Sequence, residues 1–258
     1  MDLRLQAFER LLNIMDELRE KCPWDKKQTL ESLRYLTIEE TYELADAILE
    51  GDMNEIKGEL GDLMLHLVFY SKIASETNDF DIEDVLHTVC DKLVERHPHV
   101  YGDISVDSED EVKRNWEKIK LKSGKKSVLS GVPKSLPAMV KATRIQEKVK
   151  TVGFDWEKKE QVLDKIDEEL KELKKEVDKK QNNDNIESEI GDLLFSVINF
   201  ARFIGVDPEK SLEKTNIKFI GRFSSMEKRI LEKGKDLNKM SLSEMDEYWE
   251  LAKKNEGK

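Results

Sequence analysis

The chain contains the same acidic pattern twice, and this duplication constrains its fold more than any other feature. In each copy a Glu-x-x-Glu pair precedes a Glu-x-x-Asp pair, and the second pair begins 16 residues after the last residue of the first pair in one copy and 17 residues after it in the other. The residues are Glu40, Glu43, Glu59 and Asp62 in the first copy and Glu169, Glu172, Glu189 and Asp192 in the second. Such an internal repeat predicts two units of similar architecture.

Further matches extend the repeat over nearly the whole chain of 258 residues. Lys92 and Arg96 correspond to Lys218 and Arg222, and the offset between the copies stays between 126 and 133 residues. Each half is long enough to bury a core of its own. The prediction is an N-terminal unit over 1–122, a linker over 123–137 that is rich in glycine and proline, and a C-terminal unit over 138–258.

The spacing of apolar residues predicts an all-α fold, a tandem repeat of two helical bundles with four to five helices each. Predicted helices cover 3–20, 55–75 and 84–97 in the first unit and 138–150, 159–180, 186–204 and 208–233 in the second. A capping box at Thr37 and Glu40 predicts a helix start there, and Ser241 with Glu244 predicts the start of the last helix. No segment shows the alternation of a strand.

Charge and hydropathy exclude several classes of protein. The net charge is −11 without a basic stripe, which argues against nucleic-acid binding. No apolar run approaches about 20 residues, so no membrane span is expected. No signal peptide is visible, and the two cysteines show no paired spacing, so a cytoplasmic location is expected.

The acidic pairs indicate a metal site. Carboxylates three residues apart share one face of a helix, so two antiparallel helices would bring all four acids of one copy together. Like charges at such distances repel, and a hard divalent cation such as Mg²⁺ would neutralise them. The alternative is a solvated helix face. Leu60 and Leu63 flank Asp62, and Leu193 follows Asp192, so the acids adjoin apolar faces, which favours the metal site.

Three further kinds of residue belong to the pattern: cations, a tryptophan and glycines. Lys218 and Arg222 share a helix face, and cations beside Mg²⁺ suit phosphoryl transfer. Trp249 either packs in the core or stacks on a base. Gly61 and Gly191 lie inside predicted helices, where glycine costs about 1 kcal/mol relative to alanine, so each predicts a close contact with another helix.

In combination these motifs resemble the MazG family of nucleoside triphosphate pyrophosphohydrolases. The resemblance covers the full chain and adds three segments: Cys22-Pro23-Trp24-Asp25, the segment from Arg96 to Gly102, and Lys218-Phe219-x-x-Arg222-Phe223. It implies an all-α homodimer that depends on Mg²⁺, with Mn²⁺ as the alternative cation. It also implies nucleoside triphosphates, ribo or deoxy, as substrates, hydrolysed at the α–β bond to a monophosphate and pyrophosphate.

The resemblance also implies roles for individual residues. The metal ligands would be Glu169, Glu172, Glu189 and Asp192, with Glu40, Glu43, Glu59 and Asp62 in the first repeat. The nucleotide would be surrounded by Lys165, Glu168, Asn216, Lys218, Arg222, Trp249 and Lys253. The catalytic residues would be the four acids of the second repeat together with Glu168. Either Glu168 or Glu169 would be the general base.

The first repeat departs from the second at two places. Leu36 stands where the second has Lys165, and Cys90 stands where it has Asn216. Loss of a cation should weaken phosphate binding, so the second repeat is expected to be the main catalytic site. His66 follows Asp62 by one turn, but Ser196 is its counterpart, which favours a core or surface histidine.

Two other functions compete with hydrolysis. A carboxylate-bridged di-iron bundle needs Glu-x-x-His on two helices, and neither acidic pair has histidine at that place. A non-catalytic helical scaffold, which binds metal or a protein partner without turnover, needs only the acidic faces. Formation of pyrophosphate from nucleotides distinguishes the hydrolase from both.

Overall fold

The computed structural model describes residues 2–108, 111–112, 115–116, 119, 127–179 and 183–255. These residues form helices and no strands, which confirms the all-α prediction. Contacts divide the chain into two compact units, Met1–Val106 and Asp107–Lys258. The division lies before the predicted linker, of which residues 123–126 fall outside the described part.

The first unit contains five helices: α1 (Leu3–Lys21), α2 (Leu30–Glu50), α3 (Met53–Ser75), α4 (Ile82–Arg96) and the short α5 (Pro98–Tyr101). Helices α2 and α3 form a tight hairpin. Gly51 ends α2 in the left-handed region at φ +76°, which glycine adopts without strain, and Asp52 then caps α3. Met15, Leu33, Val68 and Phe69 form the buried core between α1, α2 and α3.

The helix start predicted at Thr37 is wrong. Helix α2 begins at Leu30, where Thr29 and Ser32 cap each other reciprocally. The hydroxyl of Thr37 lies inside the helix, 3.1 Å from the carbonyl oxygen of Leu33 and 2.6 Å from the hydroxyl of Tyr70. Serine at the third helical position makes the same reciprocal bonds as the Glu or Gln of the usual pattern.

The side chain of Arg19 joins three segments of the first unit. Its Nε and Nη2 donate to the two carboxylate oxygens of Glu76 at 2.7 and 2.9 Å. Its Nη1 donates to the backbone carbonyls of Asp25 and Gln28. The guanidinium therefore ties α1 to the turn before α2 and to the end of α3, and it lowers the pKa of Glu76.

Replacement of Arg19 by methionine should lower the free energy of unfolding by about 2 kcal/mol, because two backbone carbonyls and a carboxylate lose their donor. Urea denaturation measures the change. Arg4→Met is the control, since Arg4 is exposed and pairs with Asp2 in water, where such pairs contribute little. If Arg19→Met proved as harmless as Arg4→Met, the proposed role of the guanidinium would be wrong.

The second unit contains α6 (Ala138–Lys150), α7 (Lys159–Lys179), α8 (Asn183–Phe203), α9 (Pro208–Glu232) and α10 (Leu242–Asn255). Asp207 caps α9 with Pro208 at its first turn. Ser241 and Glu244 bond reciprocally before α10, which confirms the predicted start of the last helix. Helices α7 and α8 pack against each other, as do α9 and α10. Met226, Ile230 and Tyr248 form the core between α9 and α10.

Each unit thus presents its acidic pairs on a helical hairpin, α2 with α3 in the first and α7 with α8 in the second. The Glu-x-x-Glu pair lies on the first helix of each hairpin and the Glu-x-x-Asp pair on the second. None of the described helices combines the length and apolar character that crossing a membrane requires.

Candidate functional site

Three carboxylates meet between the helices of the second hairpin. Glu169 and Glu172 come from α7 and Glu189 from α8, and one oxygen of each lies within 4.8 Å of the others. Glu169 is only 6% exposed, and the other two are half-buried. Oxygens at this spacing on rigid helices can be ligands of one cation.

Glu189 has the least favourable electrostatic surroundings of these three carboxylates. Its Oε2 is buried and has no hydrogen-bond partner among the described residues. Burial raises the pKa of Glu189, and the charges of Glu172, Asp192 and Glu169 raise it further. A buried acceptor without a donor is unfavourable in a folded protein, and a cation would relieve both the repulsion and the missing bond.

Lys165 supplies positive charge to one side of the group. Its Nζ lies 2.7 Å from Oε1 of Glu169 and 2.9 Å from Oε1 of Glu168. These bonds raise the pKa of Lys165, with Glu169 as the main cause. A single ammonium cannot balance the acids of this hairpin, so the group retains net negative charge toward a divalent cation.

The first hairpin repeats the arrangement without the lysine. One oxygen each of Glu40, Glu43 and Glu59 lies within 4.8 Å of the others, and Oε2 of Glu59 is buried without a partner among the described residues. Burial, followed by neighbouring carboxylates, raises the pKa of both Glu40 and Glu59. Leu36 occupies the position of Lys165 and contributes no charge.

Asp62 and Asp192, the fourth predicted ligand of each group, are exposed and lie outside the three-carboxylate groups. Their charges nevertheless reach the ligands, because Asp62 helps to raise the pKa of Glu59 and Asp192 that of Glu189. The structure therefore brings together three of the four acids predicted for each site and places the fourth beside them.

The close helix contacts predicted at Gly61 and Gly191 are wrong. A Cβ built at either glycine would meet no atom within 4 Å apart from the nearby backbone of its own helix. Each glycine leaves an open surface next to the acids of its hairpin. Packing within the described chain therefore gives no reason for glycine at these two positions.

The other predicted nucleotide-binding residues lie on α9 and α10. Asn216 donates to Glu213 at 3.1 Å, Lys218 is exposed and Arg222 is half-buried. Lys253 pairs with Glu250. Helix α9 also contacts α8, the helix that carries Glu189. Their arrangement around a nucleotide stays a prediction.

Trp249 and His66 both pack against other side chains or are buried. Trp249 is half-buried, and its ring centroid is 5.1 Å from that of Phe219. This contact matches the core alternative for Trp249 and leaves stacking on a base untested. His66 is 7% exposed, as the core alternative predicts, and burial lowers its pKa.

Sequence reasoning missed a cavity of about 360 Å³ in the second unit. It lies between α6, the turn at 153–156 and α8, and its lining includes Gln146, Phe154, Trp156 and Asn199. The one signal in the sequence was the pair of aromatic residues, Phe154 and Trp156, in a break between helices. Nothing in the spacing connected them to α8.

The family model of the MazG nucleotide pyrophosphohydrolase domain matches this chain twice, at residues 28–101 and 157–226. These ranges contain both acidic hairpins. A solved structure described as a MazG-related protein from Thermotoga maritima aligns with 44% of this chain and 98% of its own, at 28% identity and a TM-score of 0.40.

Two curated proteins are similar over nearly their full length. The nucleoside triphosphate pyrophosphohydrolase/pyrophosphatase MazG of Thermotoga maritima is 47% identical over 95% of both chains. The nucleoside triphosphate pyrophosphohydrolase of Escherichia coli K12 is 40% identical over 98% of this chain and 99% of its own. With the paired acidic hairpins, these matches show that the chain belongs to the MazG family and is an enzyme of the nucleoside triphosphate pyrophosphatase class.

Proposed function

We propose that the second unit hydrolyses nucleoside and deoxynucleoside triphosphates at the α–β bond, with Mg²⁺, to a monophosphate and pyrophosphate. The observation that carries this proposal is the group of Glu169, Glu172 and Glu189, which leaves a buried carboxylate oxygen without a partner among the described residues. A phosphate chain with its cation supplies the positive charge that this group lacks.

The donor set fits a hard cation. Carboxylate oxygens suit Mg²⁺, which also keeps water and substrate phosphates among its ligands, and Mn²⁺ accepts the same donors. Glu169, Glu172 and Glu189 would hold the cation, with Asp192 at the border of the group. When bound, it would polarise the phosphoryl oxygens and take up negative charge in the transition state.

Lys165 and Glu168 have complementary roles in this proposal. Lys165 is held near the group by two carboxylates and can turn to a phosphate oxygen when the cation takes over Glu169. Glu169 is buried and committed to the cation, whereas Glu168 is exposed to water. We therefore assign the general base to Glu168.

The bond changes follow from this assignment. Water attacks the α-phosphorus and gives its proton to Glu168. The bond between the α-phosphorus and the bridging oxygen then breaks, and pyrophosphate leaves with that oxygen. Lys218 and Arg222, on the helix that contacts α8, would neutralise the departing charge.

The second unit is the main catalytic site in this proposal because its first helix carries Lys165. Leu36 replaces that lysine in the first unit, which keeps the carboxylates but lacks the cation beside them. The first unit then binds a cation and serves a weaker, regulatory or structural role.

Homodimer formation is part of the proposal. Leu194 and Val197 on α8 are 54% and 45% exposed, and Phe219 and Ile220 on α9 are 56% and 62% exposed. Apolar residues exposed on two neighbouring helices suit an interface with a second copy. Sedimentation equilibrium tests this part separately from catalysis.

Incubation of the full chain with nucleoside triphosphates and Mg²⁺ should release pyrophosphate and monophosphate in equal amounts, and excess EDTA should stop the release. Chromatography of the nucleotides together with a coupled pyrophosphate assay measures both products. Release of orthophosphate with a diphosphate would contradict cleavage at the α–β bond. If no nucleotide is hydrolysed, the alternative of a non-catalytic helical scaffold would be favoured.

A further inference from the structure

We propose that the outer face of α2, in the first unit, is a docking surface for a basic amphipathic helix of another protein. This face is turned away from α3, so the inference goes beyond the proposed function and does not depend on it. Three observations carry it: an exposed apolar stripe along α2, the charged residues at the same positions of the second unit, and a row of acids beside the stripe.

The stripe consists of apolar side chains that repeat with the period of a coiled coil. Tyr35, Ile38 and Tyr42 are 63%, 47% and 55% exposed, and Leu49 is 40% exposed. Together with Ala45 they are spaced alternately by three and four residues, which is the pattern of the a and d positions of a heptad. An exposed apolar stripe of this kind is typical of a surface that binds another protein.

The stripe lies on the side of α2 that is opposite its packed side. Leu33 belongs to the buried core of the unit, and the hydroxyl of Thr37 lies 2.6 Å from that of Tyr70 on α3. Tyr42 follows Leu33 by nine residues, which is about two and a half turns of helix, so the two side chains leave α2 in opposite directions. The exposure of the stripe shows that none of the described residues covers it.

The second unit has charges where the first has the stripe. The corresponding residues of α7 are Asp164, Asp167, Lys171, Lys174 and Asp178, and all five are exposed. The two helices share their acidic pairs and their pairing with the next helix, so the shared architecture does not require apolar side chains at these positions. The stripe therefore serves a contact that only the first unit makes.

Another exposed apolar stripe shows the contrast, because both units have it. Leu60, Met64 and Leu67 on α3 are exposed, and so are their counterparts on α8, which are Ile190, Leu194 and Val197. Leu194 and Val197 belong to the surface proposed above for the homodimer. A contact between copies that both units can make thus has its own apolar residues, and it leaves the stripe on α2 without a partner.

Acidic side chains along one edge of the stripe indicate the charge of the partner. Glu39 and Asp46 occupy the e positions of the heptad, where charges select the partner helix. Both are exposed, as is Glu50. Arg34 is the one basic residue of α2, so pairing of this face with a second copy would set acids against acids. Lysine or arginine on the partner helix would match the row instead.

The test measures the binding of two fluorescent peptides to the full chain by fluorescence anisotropy. Both peptides are three heptads long with leucine at a and d, and they carry lysine or glutamate at e and g. The basic peptide should bind the unaltered chain, and the acidic peptide should not. The double variant Ile38→Asp with Tyr42→Lys introduces the residues of α7 and leaves the net charge unchanged. It should weaken binding of the basic peptide at least about tenfold, because it removes the centre of the apolar contact.

Charge reversal tests the same surface without altering the stripe. Glu39→Lys combined with Asp46→Lys should weaken binding of the basic peptide at least about tenfold and should allow the acidic peptide to bind. Val177→Lys is the control, since it removes an apolar side chain, 50% exposed, from the matching helix of the second unit. It should leave binding of both peptides unchanged.

Three results would overturn the proposal. The first is that the basic peptide does not bind the unaltered chain. The second is that it binds the double variant as tightly as the unaltered chain, because attraction by net charge alone would then explain the binding. The third is a smaller assembly of the double variant in sedimentation equilibrium, which would make the stripe a contact between copies of this chain. Hydrolysis of nucleotides plays no part in these measurements.

Discussion

Glu189→Gln is expected to lower nucleotide hydrolysis severely and at the same time to stabilise the metal-free protein. The carboxylate oxygen of Glu189 that lacks a partner among the described residues would be a ligand of the cation. The side-chain amide of glutamine has the same shape as the carboxylate, but it is a weaker ligand of a cation. We expect kcat/KM to fall about a thousandfold, because a bound cation contributes several kcal/mol to transition-state stabilisation. A gain in stability with a loss of activity is typical of a residue that serves function at the expense of the fold.

The sign of the stability change follows from the pKa. Burial and four neighbouring carboxylates raise the pKa of Glu189 above that of a free glutamate. The folded state therefore binds this proton more tightly than the unfolded state does. The stability that this provides is fully present below the unfolded pKa and is lost as pH rises through the folded pKa. Without metal, the melting temperature should fall as pH rises above the ordinary glutamate range, and less so in Glu189→Gln.

Divalent cations should oppose this loss. Cation binding displaces the proton, so the affinity for Mg²⁺ should increase with pH over the same range. The rise in melting temperature on addition of Mg²⁺ should accordingly be larger at pH 8 than at pH 5. Thermal melts with EDTA or with Mg²⁺ at several pH values measure both effects.

Two variants serve as controls. Glu187→Gln removes an equal charge from an exposed position on α8 and should change neither activity nor the pH profile. Glu59→Gln changes the corresponding ligand of the first unit, so it should give a similar gain in stability with a loss of activity under tenfold. Equal losses of activity in Glu59→Gln and Glu189→Gln would contradict the assignment of the second unit as the main catalytic site.

The repeat made the helical hairpins and their acids predictable from the sequence. Helical period fixes which side of α7 carries Glu169 and Glu172, and the short break before α8 leaves little choice but an antiparallel return. The sequence could not tell which of the four acids meet, because side-chain reach decides that. Glu189 is half-buried in the group, whereas Asp192 is one turn away and exposed.

The cavity was not predictable, since non-local contacts create it. The bond from Gln146 to the carbonyl of Phe195 spans 49 positions, and the ion pair of Arg202 with Asp155 spans 47. No periodic pattern encodes such pairs. Gly191 was misjudged for a related reason: a glycine inside a helix indicates close approach, but the described chain supplies no atom that approaches it.

Lys165 distinguishes the two acidic hairpins, and its replacement should make the second hairpin resemble the first. We expect Lys165→Leu to lower kcat/KM about a hundredfold, the effect of about 2.7 kcal/mol for a lost charge-assisted hydrogen bond to phosphate. The same change removes the ammonium 2.7 Å from Glu169, so the second hairpin should bind Mg²⁺ or Mn²⁺ more tightly. Steady-state kinetics and titration with Mn²⁺, followed by its electron paramagnetic resonance, measure the two effects.

Opposite changes in activity and metal affinity separate a phosphate-binding role of Lys165 from a structural one. If Lys165 only balanced the charge of the acids, the Lys165→Leu variant would be fully active at saturating Mg²⁺. If Lys165 binds phosphate, more Mg²⁺ would not restore the activity of the variant. Lys171→Leu, at an exposed position on the same helix, should change neither quantity. Leu36→Lys in the first unit should weaken Mn²⁺ binding there, because it sets an ammonium beside Glu40. Full activity of Lys165→Leu at saturating Mg²⁺ would show that the lysine does not contact the substrate.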